Sequence, residues 1–411
     1  LDGYIIPKND EFFGEYIDKD KDDLKFISNF SGSYGFAIIT KKQNYLMVDG
    51  RYTLQAKLEC KNFKILDFQK KTLFSIFKKK RLKIGYFSKL FTEITLKRIF
   101  QKTSIITVPI KNNFIDKLRF RKKYRKPKKI YLISNKDAGI SSQEKIKSIL
   151  KYINKNKIDL MFISAPENVS WLLNIRGFDS EYSPQSNCYL ILKKNGEAHL
   201  FINTKKTDKK IKKKLNFVKI YNIENLETYL KYLSKKKIFV DKNSCSQFYI
   251  NILKSNNIIN DRMDLIYSLK AKKNKTEINN IKKAHLEDGL ALTRFIFWIK
   301  ENFRKKKITE ISAENKIYSL RKKNKNFKFL SFPTISSTGA NGAIIHYRAT
   351  KKSNKVLRKG NLYLIDSGGQ YFYGTTDVTR TLSLQNDNER IKNIYTRVLK
   401  GHIAVANYKL T

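Results

Sequence analysis

The sequence predicts a mixed α/β (α+β) chain in which two similar N-terminal domains precede a third domain of different pattern. Three observations predict this. The 411 residues exceed what one ordinary core organises and suggest two or three domains. A helix end followed by a hairpin occurs twice: LKFISNFSG, from Leu24, aligns without gaps with VSWLLNIRG, from Val169. Near the end, the stretch from Asn361 to Leu384 reads as one long β-hairpin that carries two aspartates.

In the repeated pattern Phe26 matches Trp171, Asn29 matches Asn174 and Gly32 matches Gly177. The first copy leads into strands expected over 35–40 and 45–49. The separation of the copies is far beyond a solenoid period, so duplication of a domain is the reading. A basic stretch over 119–129, containing Pro127, is expected to be a linker or exposed loop. A strand is expected over 130–134. SSQEKIKSILKYI then places Ile146, Ile149, Leu150 and Ile153 on one helical face. The second copy is followed by strands over 188–193 and 197–203 around Asn195-Gly196, and its domain closes near 262–269. From Thr276 a longer helix carries Ile278, Ile281, Leu292, Phe295, Ile296 and Ile299 at helical spacing, with Trp298 expected in the core. Strands over 331–337 and 342–347 are expected to lead into the hairpin. The domain limits expected are 1–125, 126–268 and 269–411.

Hydrophobic residues at 41% and aromatics at 13% suffice for globular packing, and no window nears 18 consecutive apolar residues, so no membrane helix is expected. The chain begins at Leu1 with no Met and no charged-then-apolar leader, so no signal peptide is expected. Cys60, Cys188 and Cys245 are widely spaced, which suits buried thiols in a reduced, cytoplasmic compartment. The formal charge of +49 suggests nucleic acid, but the lysines run from Lys8 to Lys409 instead of gathering on one segment. Enrichment of Lys with Asn and Ile fits an AT-rich coding sequence. Salt-sensitive, nonspecific adsorption to polyanions is expected, and no dedicated nucleic-acid site.

The hairpin carries the chemistry. With its turn on Tyr371 and Phe372, Asp366 and Asp377 stand opposite each other on one face, inside apolar strands. Two such carboxylates repel, and one holds its proton unless a cation lies between them. Oxygen ligands of this kind suit hard divalent ions such as manganese or magnesium. Two solvent-facing aspartates beside a turn are the bland alternative.

DGRYTLQA at 49–56, ENVSWLLNIRG at 167–177, AHLEDGLAL at 284–292, GANGAIIHYR at 339–348, LIDSGGQY at 364–371 and GTTDVTRT at 374–381 resemble signatures of aminopeptidase P (Xaa-Pro aminopeptidase) in its three-domain form. The match runs along nearly the whole chain. The resemblance implies two creatinase-like N-terminal domains and a pita-bread catalytic domain. It also implies release of the N-terminal residue from peptides with proline second, by hydroxide bridged between two divalent ions, usually manganese. Asp366 is then expected to chelate one ion and Asp377 to bridge both. The family's remaining ligands, one His and two Glu, fall after position 411, so the catalytic domain is expected to be partial and this chain alone inactive. His402 is not one of them and is expected to be structural.

By the same resemblance His346, on an expected strand AIIHY, hydrogen-bonds the substrate carbonyl and stabilises developing charge. Arg51 is expected either to reach the substrate from the first domain of the same or a partner subunit, or to close its hairpin. Thr379 and Arg380 are expected to orient Asp377, while Tyr347 and Arg348 adjoin the pocket strand. His199 and His285 are read as structural, and Asp179 and Glu181 as solvated charges. A homodimer is expected, with peptides as partners and neither membrane nor specific nucleic acid. The rival readings are a prolidase or methionine aminopeptidase of the same fold, and a binding protein that kept the fold without catalysis. The two extra N-terminal domains oppose the first, and the presence of both aspartates opposes the second.

Overall fold

The computed structural model describes residues 1–68, 73–77, 81–119, 127–385 and 388–409. It divides into two compact units, Leu1–Asn280 and Ile281–Thr411. Most of the basic stretch over 119–129 lies outside the described residues.

The first unit contains two six-stranded sheets of the same topology. One is built from β1 (Gly3–Pro7), β2 (Phe36–Thr40), β3 (Asn44–Val48), β4 (Lys64–Asp67), β5 (Lys83–Phe87) and β6 (Ile106–Ile110), in the order β4-β3-β2-β1-β5-β6. The other is built from β7 (Leu160–Ile163), β8 (Cys188–Lys193), β9 (Ala198–Ile202), β10 (Val218–Asn222), β11 (Lys237–Val240) and β12 (Ile258–Asp261), in the order β10-β9-β8-β7-β11-β12. In each, the first three strands pair antiparallel and the outer strands join parallel. Near-continuous apolar runs such as LMFI in β7 and CYLILK in β8 are buried on both faces, as covered strands require.

The repeated sequence pattern has a backbone cause. Helix α1 (Asp23–Ser28) ends at Asn29 with φ 63°, which caps the helix by donating its amide to the Lys25 carbonyl. Among the helices that follow, α2 (Ser142–Lys155) opens with a capping box between Ser141 and Glu144. Just after α3 (Pro166–Leu172), the matched Asn174 takes φ 51°. Asparagine tolerates this left-handed region better than most residues, which accounts for the matched pair. Ile146, Ile149 and Ile153 of α2 are buried as their spacing predicts. All three cysteines are free and buried. The strand expected over 130–134 shrinks to a two-residue pairing of Tyr131–Leu132 with Ile175–Arg176.

Asp179 departs from the solvated role expected of it. It pairs with the buried Lys206 ammonium and accepts from Ser186 Oγ at 2.8 Å and Asn187 N at 2.7 Å. Glu181 is exposed, as expected.

A long helix, α4 (Lys275–Asn302), leads into the second unit, where α5 (Glu310–Lys322) follows. Two three-stranded sheets succeed it: β14 (Ile335–Thr338), β15 (Leu362–Ser367) and β18 (Val378–Ser383) form one, and β13 (Phe327–Leu330), β16 (Gly369–Tyr371) and β17 (Gly374–Thr375) the other. The core gathers Leu292, Phe295 and Ile299 of α4, Ala313 and Ile317 of α5, and Tyr363 and Ile365 of β15. Trp298 packs against it half-buried, whereas Ile278 stays largely exposed. The closing helix α6 (Glu389–Asn407) has no buried residue, although Ile394, Val398, Leu399 and Ile403 lie on it.

Candidate active site

The two aspartates stand where the long hairpin passes from one small sheet to the other. In β15–β18 Asp366 opposes Thr379 and Ser367 opposes Val378; in β16–β17 Gln370 opposes Thr375 and Tyr371 opposes Gly374. One register thus runs through both segments, with the turn on Phe372 and Tyr373. The expected turn on Tyr371 and Phe372 is therefore misplaced, and Asp366 and Asp377 are not direct partners. Asp377 precedes β18 and lies level with Gly368, two positions from Asp366. Because strand alternation has period two, that shift leaves both carboxylates on one face, as diagonal neighbours.

Gly368 makes the corner between the sheets. A Cβ there would lie 1.9 Å from the Thr376 carbonyl oxygen and 2.3 Å from Ser331 Oγ. The close approach is pinned by Ser331 Oγ donating to Thr376 O at 2.8 Å and Gly369 N donating to Thr376 Oγ1 at 2.9 Å. The sequence reading, with its turn on Tyr371 and Phe372, gave Gly368 no such role; here the glycine serves the corner.

Asp366 is half-buried, and its Oδ1 is fully buried with no hydrogen-bond partner among the described residues. A buried carboxylate oxygen left in that state costs about 1–3 kcal/mol or more, so it marks a position prepared for a cation or donor. Asp377 is exposed, contrary to the expected apolar enclosure. Its carboxyl is nonetheless held above the usual range, by desolvation first and the Asp366 charge second, with His285 opposing. On so exposed a residue water offsets much of the first cause, which leaves repulsion from Asp366 as the more telling one. The Nδ1 of His285, which was read as structural, lies 2.9 Å from the Ile281 carbonyl oxygen.

Buried polar groups fasten the hairpin tip. The Arg321 guanidinium donates to both Asp288 oxygens at 2.7 and 2.9 Å, and Tyr371 donates its hydroxyl proton to Asp288 Oδ1 at 2.8 Å. Asp288 and Arg321 are fully buried, and burial together with Asp288 raises the Tyr371 phenol well above its ordinary range. Beside them the Glu287 carboxylate accepts from Tyr373 Oη and from Asn324 Nδ2 at 2.8 Å. Sequence reasoning did not single out these residues. The signal was there for Asp288, a charged residue in phase with Ala284, Leu292 and Phe295 on a helix face otherwise apolar.

His346 does not lie on a strand. A 3₁₀ turn (Gly339–Ala343) and an irregular segment follow β14, and His346 is exposed with φ 55°. The AIIHY run looked strand-like because it is apolar, but Ile345 is 56% exposed and nothing pairs with this segment in a ladder among the described residues. A left-handed histidine costs on the order of 1–3 kcal/mol, which the surroundings must offset. They do so at Tyr347, buried beside it, whose hydroxyl donates to Glu310 Oε2 at 2.9 Å. Burial, with Glu310 assisting and Ser353 opposing, pushes that phenol up to about 12. Arg348 reaches Thr334 O at 3.3 Å and Glu314 at 3.6 Å.

Other expected residues sort by position. Thr379 shares the face of Asp366, but Arg380 points to the opposite face and donates to its own neighbour's carbonyl, Thr379 O, at 2.7 Å. Arg51, in the first unit, clasps Asp49 with Nε at 3.1 Å and Nη2 at 2.7 Å and stacks on Tyr52, which supports the hairpin-closing reading. His199 is buried among Tyr221, Tyr229 and Glu197, a structural setting. His402 lies exposed on α6.

Comparison with known proteins decides what carries this geometry. Residues 1–120 and 121–277 each match a Creatinase/Prolidase N-terminal domain, and residues 279–409 match Metallopeptidase family M24. The chain is 35% identical over 438 residues to Xaa-Pro aminopeptidase 1 of Dictyostelium discoideum, covering 100% of this chain and 69% of that protein. It is 33% identical over 440 residues to a probable Xaa-Pro aminopeptidase P of Laccaria bicolor, covering 98% and 66%. The chain belongs to the Xaa-Pro aminopeptidase family. The solved X-prolyl aminopeptidase of Caenorhabditis elegans, a cytosolic enzyme with a di-nuclear active site, superposes with a TM-score of 0.91 at 27% identity, over 100% of this chain and 70% of that one.

The carboxylates fit the metals that membership of the Xaa-Pro aminopeptidase family implies. Asp366 offers a buried oxygen without a donor, and Asp377 shares its face and feels its charge. Among the described residues, no group of three or more His, Cys, Asp or Glu side chains could hold a metal. No described helix is long and apolar enough to cross a membrane.

Proposed function

We propose that the protein to which this chain belongs is an Xaa-Pro aminopeptidase, releasing the first residue from peptides whose second residue is proline. The observation that carries this reading is the same-face pair Asp366 and Asp377, one with a buried oxygen lacking a donor, on a chain of the Xaa-Pro aminopeptidase family. The two carboxylates would hold part of a pair of divalent ions, which the family resemblance assigns as manganese. Bound there, such ions supply Lewis acidity and lower the pKa of water from 15.7 to about 7, which attack on the tertiary amide before proline demands.

The chain's own residues set the rest. Asp366 and Asp377 would hold the ions from one face of a ribbon whose tip is fastened by Asp288, Arg321 and Glu287. His346 hydrogen-bonds the substrate carbonyl and stabilises its developing charge; this kind of donor is worth about 10²–10³ in kcat. A hard dication takes about six oxygen ligands, so a form of the protein with only these two carboxylates holds metal weakly and turns over negligibly. We place the domain limits at 125/126 and 268/269, each N-terminal domain then holding one six-stranded sheet, and the enzyme in the cytoplasm as a homodimer.

The test is hydrolysis of Xaa-Pro and Xaa-Ala peptides with added manganese, by the 411-residue chain and by a form extended to supply one His and two Glu ligands. Proline-dependent release by the extended form alone is expected. Equal cleavage of both peptides, or activity in the short chain that survives Asp366→Ala, would overturn the reading.

A further inference from the structure

Glu310 is fully buried at the start of α5, and no Lys, Arg or His side chain pairs with it among the described residues. Its charge is met by neutral donors drawn from one segment. Oε1 accepts from Thr338 N at 2.8 Å and Asn341 Nδ2 at 3.0 Å; Oε2 accepts from Tyr347 Oη at 2.9 Å and Lys355 N at 3.0 Å. Ser336 Oγ donates to the Glu310 carbonyl at 2.8 Å, and Glu310 N donates to Lys355 O at 3.0 Å. Asn341 and Tyr347 also bond each other at 2.7 Å. These donors bracket His346 on both sides in the chain, and His346 sits within the bracket at φ 55°. Hydrogen bonds to a charged acceptor are the stronger kind, and a carboxylate is the group that can take several at once.

We infer that Glu310 is a positioning residue for His346: its buried carboxylate gathers Thr338, Asn341, Tyr347 and Lys355 into a rigid loop that presents the imidazole to the substrate carbonyl. The inference rests on the role proposed above for His346, but the loop geometry it invokes is measurable without turnover. A glutamine at 310 keeps the volume yet can offer only one acceptor oxygen, so its amide must face either the Thr338 and Asn341 donors or those of Tyr347 and Lys355.

Amide hydrogen exchange of the 411-residue chain, with Glu310→Gln against the parent, gives the first readout. Exchange across 338–355 is expected to quicken at least tenfold, with β15 and β18 unchanged; unaltered exchange there overturns the inference. In the metal-loaded extended enzyme, Glu310→Gln is expected to lower kcat more than tenfold with metal content and KM held. It is expected to cost nothing further on a His346→Ala background, because a residue acting through another loses its effect with it. Losses that multiply would make Glu310 merely structural. Tyr347→Phe, which removes one donor and leaves the carboxylate, repeats both readouts should Glu310→Gln not fold, and collapse of both variants would also overturn the proposal. Failure of the parent enzyme to cleave Xaa-Pro peptides would sink the peptidase reading and leave the exchange result standing.

Discussion

At the scale of single residues, the metal role proposed for Asp366 would set function against stability. Its buried Oδ1 without a donor is a cost in the metal-free protein, so Asp366→Ala is expected to raise metal-free stability at pH 7 by about 1 kcal/mol while abolishing manganese binding. Urea denaturation and calorimetric titration check the two halves separately. His346→Ala is expected to lower kcat about 100-fold with bound metal unchanged, read by steady-state kinetics and metal analysis. The same-face placement of the carboxylates was legible in the sequence because it depends only on parity along the strands. Their exact pairing was not, because Gly368 is required by a backbone approach that no local pattern discloses. The motif singles out His346 as a candidate, but its backbone was not legible. An apolar AIIHY run reads as a strand until Glu310, 36 positions earlier in the numbering, is seen to hold its flank.

At the scale of elements, the corner at Gly368 is the sharpest constraint. Gly368→Ala would force a methyl group into the Thr376 carbonyl, where backbone cannot yield as a flexible side chain can. The expected cost is about 3 kcal/mol, seen in denaturant titration, together with loss of manganese binding because the carboxylates separate. The repeated helix-and-hairpin pattern was legible for a physical reason: Asn29 and Asn174 occupy equivalent left-handed positions, and asparagine suits them. Helix α2 was legible from its apolar stripe alone. The tip anchors were not, since an Asp–Arg–Tyr set drawn from positions 288, 321 and 371 leaves little trace in local spacing.

At the scale of the whole molecule, charge dominates. With a formal +49, adsorption to heparin is expected at low salt and to fall steeply and without sequence preference as salt rises, measured by elution or titration. Within that excess, individual acids do structural work. Glu93 is held down at about 2 by Lys97, with Lys254 and Lys242 adding to the effect against partial burial. A lowered folded-state value contributes stability above the ordinary glutamate range near 4.5, and that stability is lost as pH falls toward about 2. The destabilisation caused by Glu93→Gln should therefore be present at pH 7 and vanish near pH 2, as urea midpoints across pH would show.

The constant register through β15–β18 and β16–β17 makes the ribbon's length a matter of even and odd. Remove one residue between Gly369 and Thr375 while keeping a tight turn, and one arm rolls over against the other, sending the two acids to opposite sides. Trim one from each arm, and the ribbon merely shortens with its acids still together. Natural or engineered variation at this hairpin tip should accordingly come in matched pairs, and a single-residue deletion should cost cation binding even where the fold survives.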